Sequence, residues 1–526
     1  MAIPLIRRGA LVLAALALVS AASTAPAQTV LRIKMTGDLQ QIDPIWTTSY
    51  PVRDMSYLIY DTLFSTDANY KIQPQMVDKY TLSADGLTYT FTLRDGLKWH
   101  DGPPVTSTDC IASLERWMLK DTLGGVLKTH LDRFEKVDEK TFKLVLKNPW
   151  GLTLSALGKV SSYVPFMMPE RMARTAPDKS NTEAIGSGPY IMKMSEWVPG
   201  AKIVYVKNPA YVPRKEPASM MAGGKVAGVD RIERINIPDD LSAVNALIAG
   251  EVDYIEAVPP DMMKLLEGNK DIVMGPRGNL GHSMQIVLNH LQPPLNDVRV
   301  RQAIQYAINQ KEILQAYNGA RTNLYKVCPT LLYCGGPYTS DVNSARSMAN
   351  DPAKARALLK EAGYTGTPLI VMHPTDQKLQ NDVMTVVVQQ LRKAGFTVEA
   401  KMIDLATMFS WRTKKDPANA GGWHVFATGW GGVDLMDPAT NVFMTGACDK
   451  GWFGWACDEE MQKLRTAFFA SRTDDERKAI AVKMQARAQD VVPYVNGGQM
   501  LQFAAWRKNL KGIIEAPVPV LWNVSK

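Results

Sequence analysis

Nothing along this chain reads as a flexible tether, although it is far too long for one hydrophobic core. The 526 residues contain no low-complexity linker and no internal repeat. Chains of this size divide into domains of roughly 50–200 residues, so two or three cores are expected. Without a tether to separate them, those cores must be joined by ordered crossings of the backbone.

The start of the chain addresses the protein out of the cytoplasm. Arg7 and Arg8 precede an apolar run from Gly9 to Val19, and Ala25-Pro26-Ala27 has the small-residue pattern of a cleavage site. These are the marks of a secretory signal peptide over 1–27. The run is shorter than the about 20 apolar residues that span a bilayer, and no cysteine near Ala27 offers a lipid anchor. No later stretch is apolar enough to cross a membrane, so a soluble periplasmic protein of about 499 residues is expected. The formal charge of +8 includes Arg7 and Arg8, and the remaining acids and bases are interspersed. With no Lys/Arg run to track phosphates, nucleic acid is excluded as a partner.

Five cysteines stand at 110, 328, 334, 448 and 457. In an oxidising compartment, Cys328 with Cys334 and Cys448 with Cys457 form two local disulfides. Cys110 is left as a buried free thiol. Neither pair has Cys-x-x-Cys spacing and no histidine flanks them, which argues against zinc.

Thr88 to Leu93 alternate in polarity between Asp85-Gly86 and Asp95-Gly96, the pattern of a half-buried strand between tight turns. Thr106 caps a following helix, with Asp109 positioned for a capping box. In the second half Val300, Ile304, Ala307, Ile308 and Leu314 recur at helical spacing after Asn296-Asp297. Asp351-Pro352 starts another helix, ended by Gly363, and a third runs from about Asn381 to Gly395. Short β-branched runs at 369–372, 397–402 and 425–428 alternate with these helices, predicting an α/β lobe. The first part is more mixed, with meander-like strands over 71–146 and 190–206.

Motifs of catalysis are missing. None of the six histidines begins His-Glu-x-x-His. No Ser-x-x-Lys occurs, neither Gly-Lys pair continues into Ser or Thr, and Gly186-Ser187-Gly188 lacks the spacing of a nucleophile elbow. The reading is a binding protein, not an enzyme, with no cofactor and no metal. A secreted enzyme and a chaperone-like peptide holder are the alternatives of other classes.

The blocks Tyr60-Asp61-Thr62-Leu63-Phe64, the run from Leu82 through Trp99-His100-Asp101-Gly102, Gly186-Ser187-Gly188-Pro189-Tyr190, Lys207-Asn208-Pro209-Ala210-Tyr211, Gly250-Glu251-Val252-Asp253, Asn296 to Ala303, and Lys360-Glu361-Ala362-Gly363-Tyr364 follow one another along nearly the whole mature chain. Together they resemble the peptide/nickel-type solute-binding proteins of ABC importers, solute-binding family 5. Each block also reads as turn, cap or core, so they are expected to specify the fold and not to touch ligand. The resemblance implies an α/β, two-lobed periplasmic-binding-protein fold with a ligand cleft between the lobes. It implies a first lobe over 28–284 with an extra subdomain at about 71–185, a second over 285–497, and a return of 498–526 to the first. The chain would cross near 280–290 and 494–502, and lobe closure would be a hinge motion.

In peptide-binding relatives an aspartate just before an acidic-Pro pair grips the ligand's α-amino group, and Asp434 in Asp434-Leu435-Met436-Asp437-Pro438 matches that spacing. The preceding Trp430, Gly431 and Gly432 are expected to line the pocket, an indole as wall and glycines for close backbone approach. Trp411, Trp423, Trp452 and Trp455 lie near in sequence and suggest an aromatic cage. Tyr50 and Trp46 would face the cleft from the first lobe. Dipeptide-binding members carry a carboxylate-binding arginine where this chain has His373-Pro374-Thr375-Asp376-Gln377-Lys378; Lys378 or Arg412 could substitute only with a different local geometry, which argues against a free dipeptide. Two ligand classes stay open: a short peptide or peptide-like amine, or a non-peptide solute such as an opine, an oligosaccharide, an aromatic compound or a chelated metal drawing on His282, His373 or His424. An ABC permease is the expected partner, and a monomer the expected state.

Overall fold

The computed structural model describes residues 28–526 apart from Gln40, Asn279 and Arg472. The alternating segment forms the strand Thr88–Leu93, with Tyr89, Phe91 and Leu93 buried. It lies inside a four-stranded antiparallel sheet with Val77–Leu82, Thr141–Leu146 and Leu131–Lys136. Thr106 and Asp109 close a capping box on the helix Ser107–Trp117. Each side chain satisfies a backbone N–H that the first turn leaves without a partner.

Two larger mixed sheets organise the halves of the molecule. The first runs Ile272–Pro276, Phe503–Arg507, Tyr254–Val258, Val30–Lys34, Arg231–Ile235, Lys202–Lys207, Tyr190–Met192. Its central strand Val30–Lys34 is parallel to both neighbours. The second runs Tyr325–Lys326, Tyr494–Met500, His282–Leu288, Val425–Gly431, Leu369–Pro374, Val398–Ile403. There Leu369–Pro374 is the strand parallel to both neighbours. The helix Lys378–Lys393 packs Val383, Met384, Val387 and Leu391 with Met284, Ile286 and Leu288 of that sheet.

The chain passes between the sheets twice, at 277–281 and at 501–502. The crossings are tied side by side: the Arg277 N–H donates to the Gln502 carbonyl at 2.7 Å. Gly281 is at φ +59°, and a Cβ there would fall 2.4 Å from the Met500 carbonyl oxygen. Only glycine fits where the two crossings touch.

The apolar spacing over 296–314 resolves into two helices, Val298–Ala307 and Gln310–Asn318. Asn309 breaks them apart, its side chain accepting from the Glu312 N–H at 3.3 Å. Such a local bond competes with helix continuation. Asp351 caps Pro352–Glu361, with Gly363 at φ +73° just beyond. The helix expected from Asn381 begins at Lys378. Disulfides join Cys328 to Cys334 and Cys448 to Cys457, and Cys110 is buried and free.

Candidate functional site: the cavity between the lobes

A cavity of about 460 Å³ opens between the two large sheets. Its first-lobe wall is built where strands end: Lys34, Thr36 and Asp38 at the end of Val30–Lys34, Asn236 after Arg231–Ile235, and Pro259 after Tyr254–Val258. The second-lobe wall comes from 376–380 after Leu369–Pro374, from Leu405, Phe409 and Arg412 after Val398–Ile403, and from Thr428, Gly429 and Trp430. Carboxyl ends of parallel strands are where open α/β sheets leave a crevice for ligand.

Charges of both signs line this space. Lys34 pairs with Asp240 at 3.3 Å, Arg277 with Asp54 at 3.3 Å, and Lys378 with Asp382 at 2.7 Å and Asp261 at 3.6 Å. Arg412 differs. It caps the helix Leu405–Trp411, is 5% exposed, and pairs with no described acid. Its Nε has no hydrogen-bond partner, and burial lowers its pKa to about 10. Its planar faces lie over Phe409, Phe453 and Trp452 at 4.6, 4.7 and 5.3 Å. On the same walls, the Thr36 hydroxyl, Asp38 Oδ1 and His282 Nδ1 also lack protein partners.

Beside the cavity the lobes are bonded to each other. Tyr50 begins the helix Tyr50–Ile59, whose residues 52–59 are all buried, so the ring is held firmly at the wall. Its hydroxyl donates to Asp434 at 2.6 Å and accepts from the Gly431 N–H at 2.7 Å. Ser161 donates to the same Asp434 oxygen at 2.9 Å and accepts from Arg53 at 2.6 Å. Arg53 in turn lies 3.9 Å from the centre of the Tyr50 ring. Burial raises the pKa of Asp434, opposed by Arg53; burial and the Asp434 charge hold Tyr50 protonated as the donor.

Of the expected residues Tyr50, Trp430, Arg412, Lys378 and His282 line the cavity, whereas Asp434, Gly431, Gly432, Trp411 and Trp46 do not. Asp434 is 1% exposed and spends its bonds on Tyr50 and Ser161. Gly431 faces Tyr50, and the close approach at Gly432 is to protein: a Cβ there would fall 2.8 Å from Leu280 Cβ. The Trp411 indole donates to the Gly421 carbonyl at 2.7 Å, and Trp46 sits under Lys120. Trp423 and Trp455 pack in the core, while Trp452 backs Trp430 and Arg412. Of the histidines, His424 is taken up by the Ile370 N–H and the Pro293 carbonyl, and His373 by Asn381. Only His282 reaches the cavity, where burial and then Arg277 and Arg53 lower its pKa to about 3 and keep it neutral. No metal-binding cluster occurs among the described residues.

The family of bacterial extracellular solute-binding proteins, family 5, matches residues 71–453. The chain belongs to this family. A Sinorhizobium fredii protein named a probable peptide ABC transporter periplasmic-binding protein is 36% identical over 492 residues, covering 93% of this chain and 92% of the relative. Two solved structures are similar throughout. The binding protein AgaA of A. tumefaciens R10, in complex with agropinic acid, has a TM-score of 0.78 at 23% identity, covering 94% of this chain and 98% of that one. The oligopeptide-binding protein AppA of Bacillus subtilis, in complex with a nonapeptide, has 0.78 at 20%, with the same coverage of 94% and 98%. The fold is thus the two-lobed one of periplasmic binding proteins. Family 5 proteins are receptors, not enzymes, and deliver solutes to ABC permeases. No helix among the described residues is long and apolar enough to cross a membrane, and the expected signal peptide over 1–27 lies outside them.

Four of the quoted blocks of this family 5 protein, at 60–64, 82–102, 186–190 and 207–211, meet in one knot of the first lobe whose residues are not among those lining the cavity. His100 accepts from the Gly186 N–H at 3.3 Å, so its Nε2 carries the proton and donates to the Gly188 carbonyl at 3.1 Å. The Gly188 N–H donates to the Ile59 carbonyl, the Asn208 amide to the Gly188 carbonyl, and Tyr211 and the buried Lys225 to Asp61. Sequence reasoning missed Lys34, Thr36, Asp38, Asp54 and Arg277 as wall residues. Recognising Val30–Lys34 as a parallel strand would have drawn attention to the first three.

Proposed function

We propose that this protein is the periplasmic receptor of an ABC importer for a short peptide or peptide-like amine, secreted by cleavage near Ala27 and acting as a monomer. The supporting observation is the cavity between the lobes, with acids and bases on both walls. Its size falls in the range of about 300–1,000 Å³ typical of small-ligand sites. The lobes close over the solute, and the closed form docks on the permease. An ammonium group reaches Asp434 only by displacing the Tyr50 hydroxyl, and the bond gained is charge-assisted. The peptide name of the 36% identical relative supports the same class.

A non-peptide amino-acid conjugate is the second reading, favoured by the position of Asp434 outside the cavity wall. A thermal-shift screen with di- to tripeptides and opine-type conjugates separates the two, because ligands of the native state raise Tm. Peptide shifts that vanish in Asp434→Asn support the amine clamp. Shifts from conjugates alone, equal in the variant, reject it.

A further inference from the structure

We infer that the disulfide-closed loop from Cys448 to Cys457 is a brace that positions the second-lobe wall of the cavity, so that opening this one disulfide with a dithiol reductant weakens solute capture without unfolding the lobe. This deepens the proposed function and rests on capture in the cavity between the lobes. Apart from the 3₁₀ turn Cys448–Lys450 the loop has no regular structure. Three of its residues stand in the left-handed region: Cys448 at φ +56°, Gly454 at +100° and Trp455 at +49°. Non-glycine residues keep that conformation only where their surroundings impose it. Here the imposing bond is covalent and joins the two ends of the loop.

The loop reaches the cavity through its aromatic rings. Phe453 and Trp452 lie 4.7 and 5.3 Å from the Arg412 guanidinium, and the Trp452 ring stands edge-on to Trp430 at 5.4 Å. Arg412 and Trp430 both line the cavity. With no described acid beside Arg412, ring faces are what hold its cation in place. Just beyond it, the Lys415 ammonium donates to the Asp449 carbonyl at 2.8 Å, and the His290 N–H donates to the Gly454 carbonyl at 2.8 Å. The two disulfides differ in access: Cys457 is exposed, whereas Cys328 is 0% exposed. Exchange begins when a thiolate attacks a sulfur it can reach. One thiolate of the dithiol bonds to the Cys457 sulfur and displaces Cys448 as a thiolate. Its second thiolate then displaces Cys457, so the reductant leaves as a disulfide and its two protons pass to the cysteines. Once released, the loop relaxes at Cys448 and Trp455 and withdraws Trp452 and Phe453 from Arg412 and Trp430.

The test compares the oxidised, the mildly reduced and the reoxidised receptor, with dithiothreitol as reductant and alkylation followed by mass mapping to locate the opened disulfide. Hydrogen exchange is read on the unliganded protein, and calorimetry uses tripeptides and N-carboxyalkyl amino acids as probes. The Cys448–Cys457 disulfide is expected to open ahead of Cys328–Cys334. Amides of 405–412 should then exchange about 10-fold faster, while the strands of the first lobe keep their rates. Probe affinity should fall about 10-fold, and both effects should reverse on reoxidation. The double variant Cys448→Ala with Cys457→Ala should match the reduced form and not respond to dithiothreitol. Unchanged rates at 405–412, or unchanged affinity of a probe that binds the oxidised receptor, overturns the brace. Loss of protection across both lobes also overturns it, because the disulfide is then a staple of the whole fold, and prior opening of Cys328–Cys334 overturns the assignment of the reducible bond. If no probe binds the oxidised receptor, the proposed ligand class fails, and exchange at 405–412 still decides the brace.

Discussion

Tyr50 is the residue through which the two lobes feel each other most directly. Its hydroxyl is donor to Asp434 and acceptor for Gly431, and Ser161 completes the carboxylate's partners. Tyr50→Phe leaves a buried carboxylate short of one donor, a loss of about 1.5–3 kcal/mol for a hydrogen bond to a charged group. The loss falls on the closed arrangement, so the unliganded variant should be more open, read as a larger radius of gyration in X-ray scattering. An unchanged radius would show that the hydroxyl does not hold the lobes together. His100 governs a different property. Burial lowers its pKa to about 4, and its Nδ1 faces a backbone N–H, leaving no place for a second proton. The unfolded chain takes up that proton below pH about 6.5. Stability contributed by the neutral ring is therefore complete above that pH and falls as pH drops toward 4, by up to about 1.4 kcal/mol per unit. His100→Gln, measured by denaturant unfolding between pH 7 and 4.5, should flatten this slope; a slope equal to wild type would assign it elsewhere, to His282 and His290, which are lowered to about 3.

Among the elements, the helix Ser107–Trp117 shows how local chemistry fixes a boundary. Thr106 and Asp109 bond each other's backbone N–H groups, and Leu114 and Trp117 then fall on the buried face. Thr106→Ala removes one half of the box and should cost about 1 kcal/mol, seen as a lower denaturation midpoint with an unchanged m-value. An unaltered midpoint would mean that tertiary packing alone sets this helix start. Thr88–Leu93 and Pro352–Glu361 were legible for similar reasons, an alternation of period two and an Asp-Pro cap. The break at Asn309 was not, because the apolar spacing continues through it and only the side-chain bond to Glu312 interrupts the helix.

For the whole molecule, lobe motion has to pass through 277–281 and 501–502. Gly281 sits where these segments touch, at a positive φ and with the Met500 carbonyl in the space a side chain would need. Gly281→Ala pushes the crossings apart and is expected to lower stability by about 1 kcal/mol or more and to alter the balance of open and closed forms. Differential calorimetry and scattering profiles measure the two effects; wild-type values in both would show that the crossings yield freely. Across the cleft, Lys378 with Asp261 and Arg321 with Glu267 add ion pairs between the lobes. They are partly exposed, and such pairs contribute little beyond orientation.

By itself the sequence determined the helix caps, the alternating strand and the family, and through the family the two-lobed fold. Those features reside in neighbouring residues or in short blocks whose turns and caps any chain of this fold must build. The knot of His100, Gly186, Gly188 and Asp61 is the tertiary counterpart of the four blocks between 60 and 211 and gives them a structural role. Which side chains line the cavity was decided only by the tertiary structure. Asp434 looks like an amine clamp in one dimension, yet Tyr50, 384 residues away, reaches its carboxylate first. Arg412 and Lys378 look equivalent as cations, yet folding brings acids to one and aromatic rings to the other. Burial and partnership are set by segments hundreds of residues apart, and no local pattern records them.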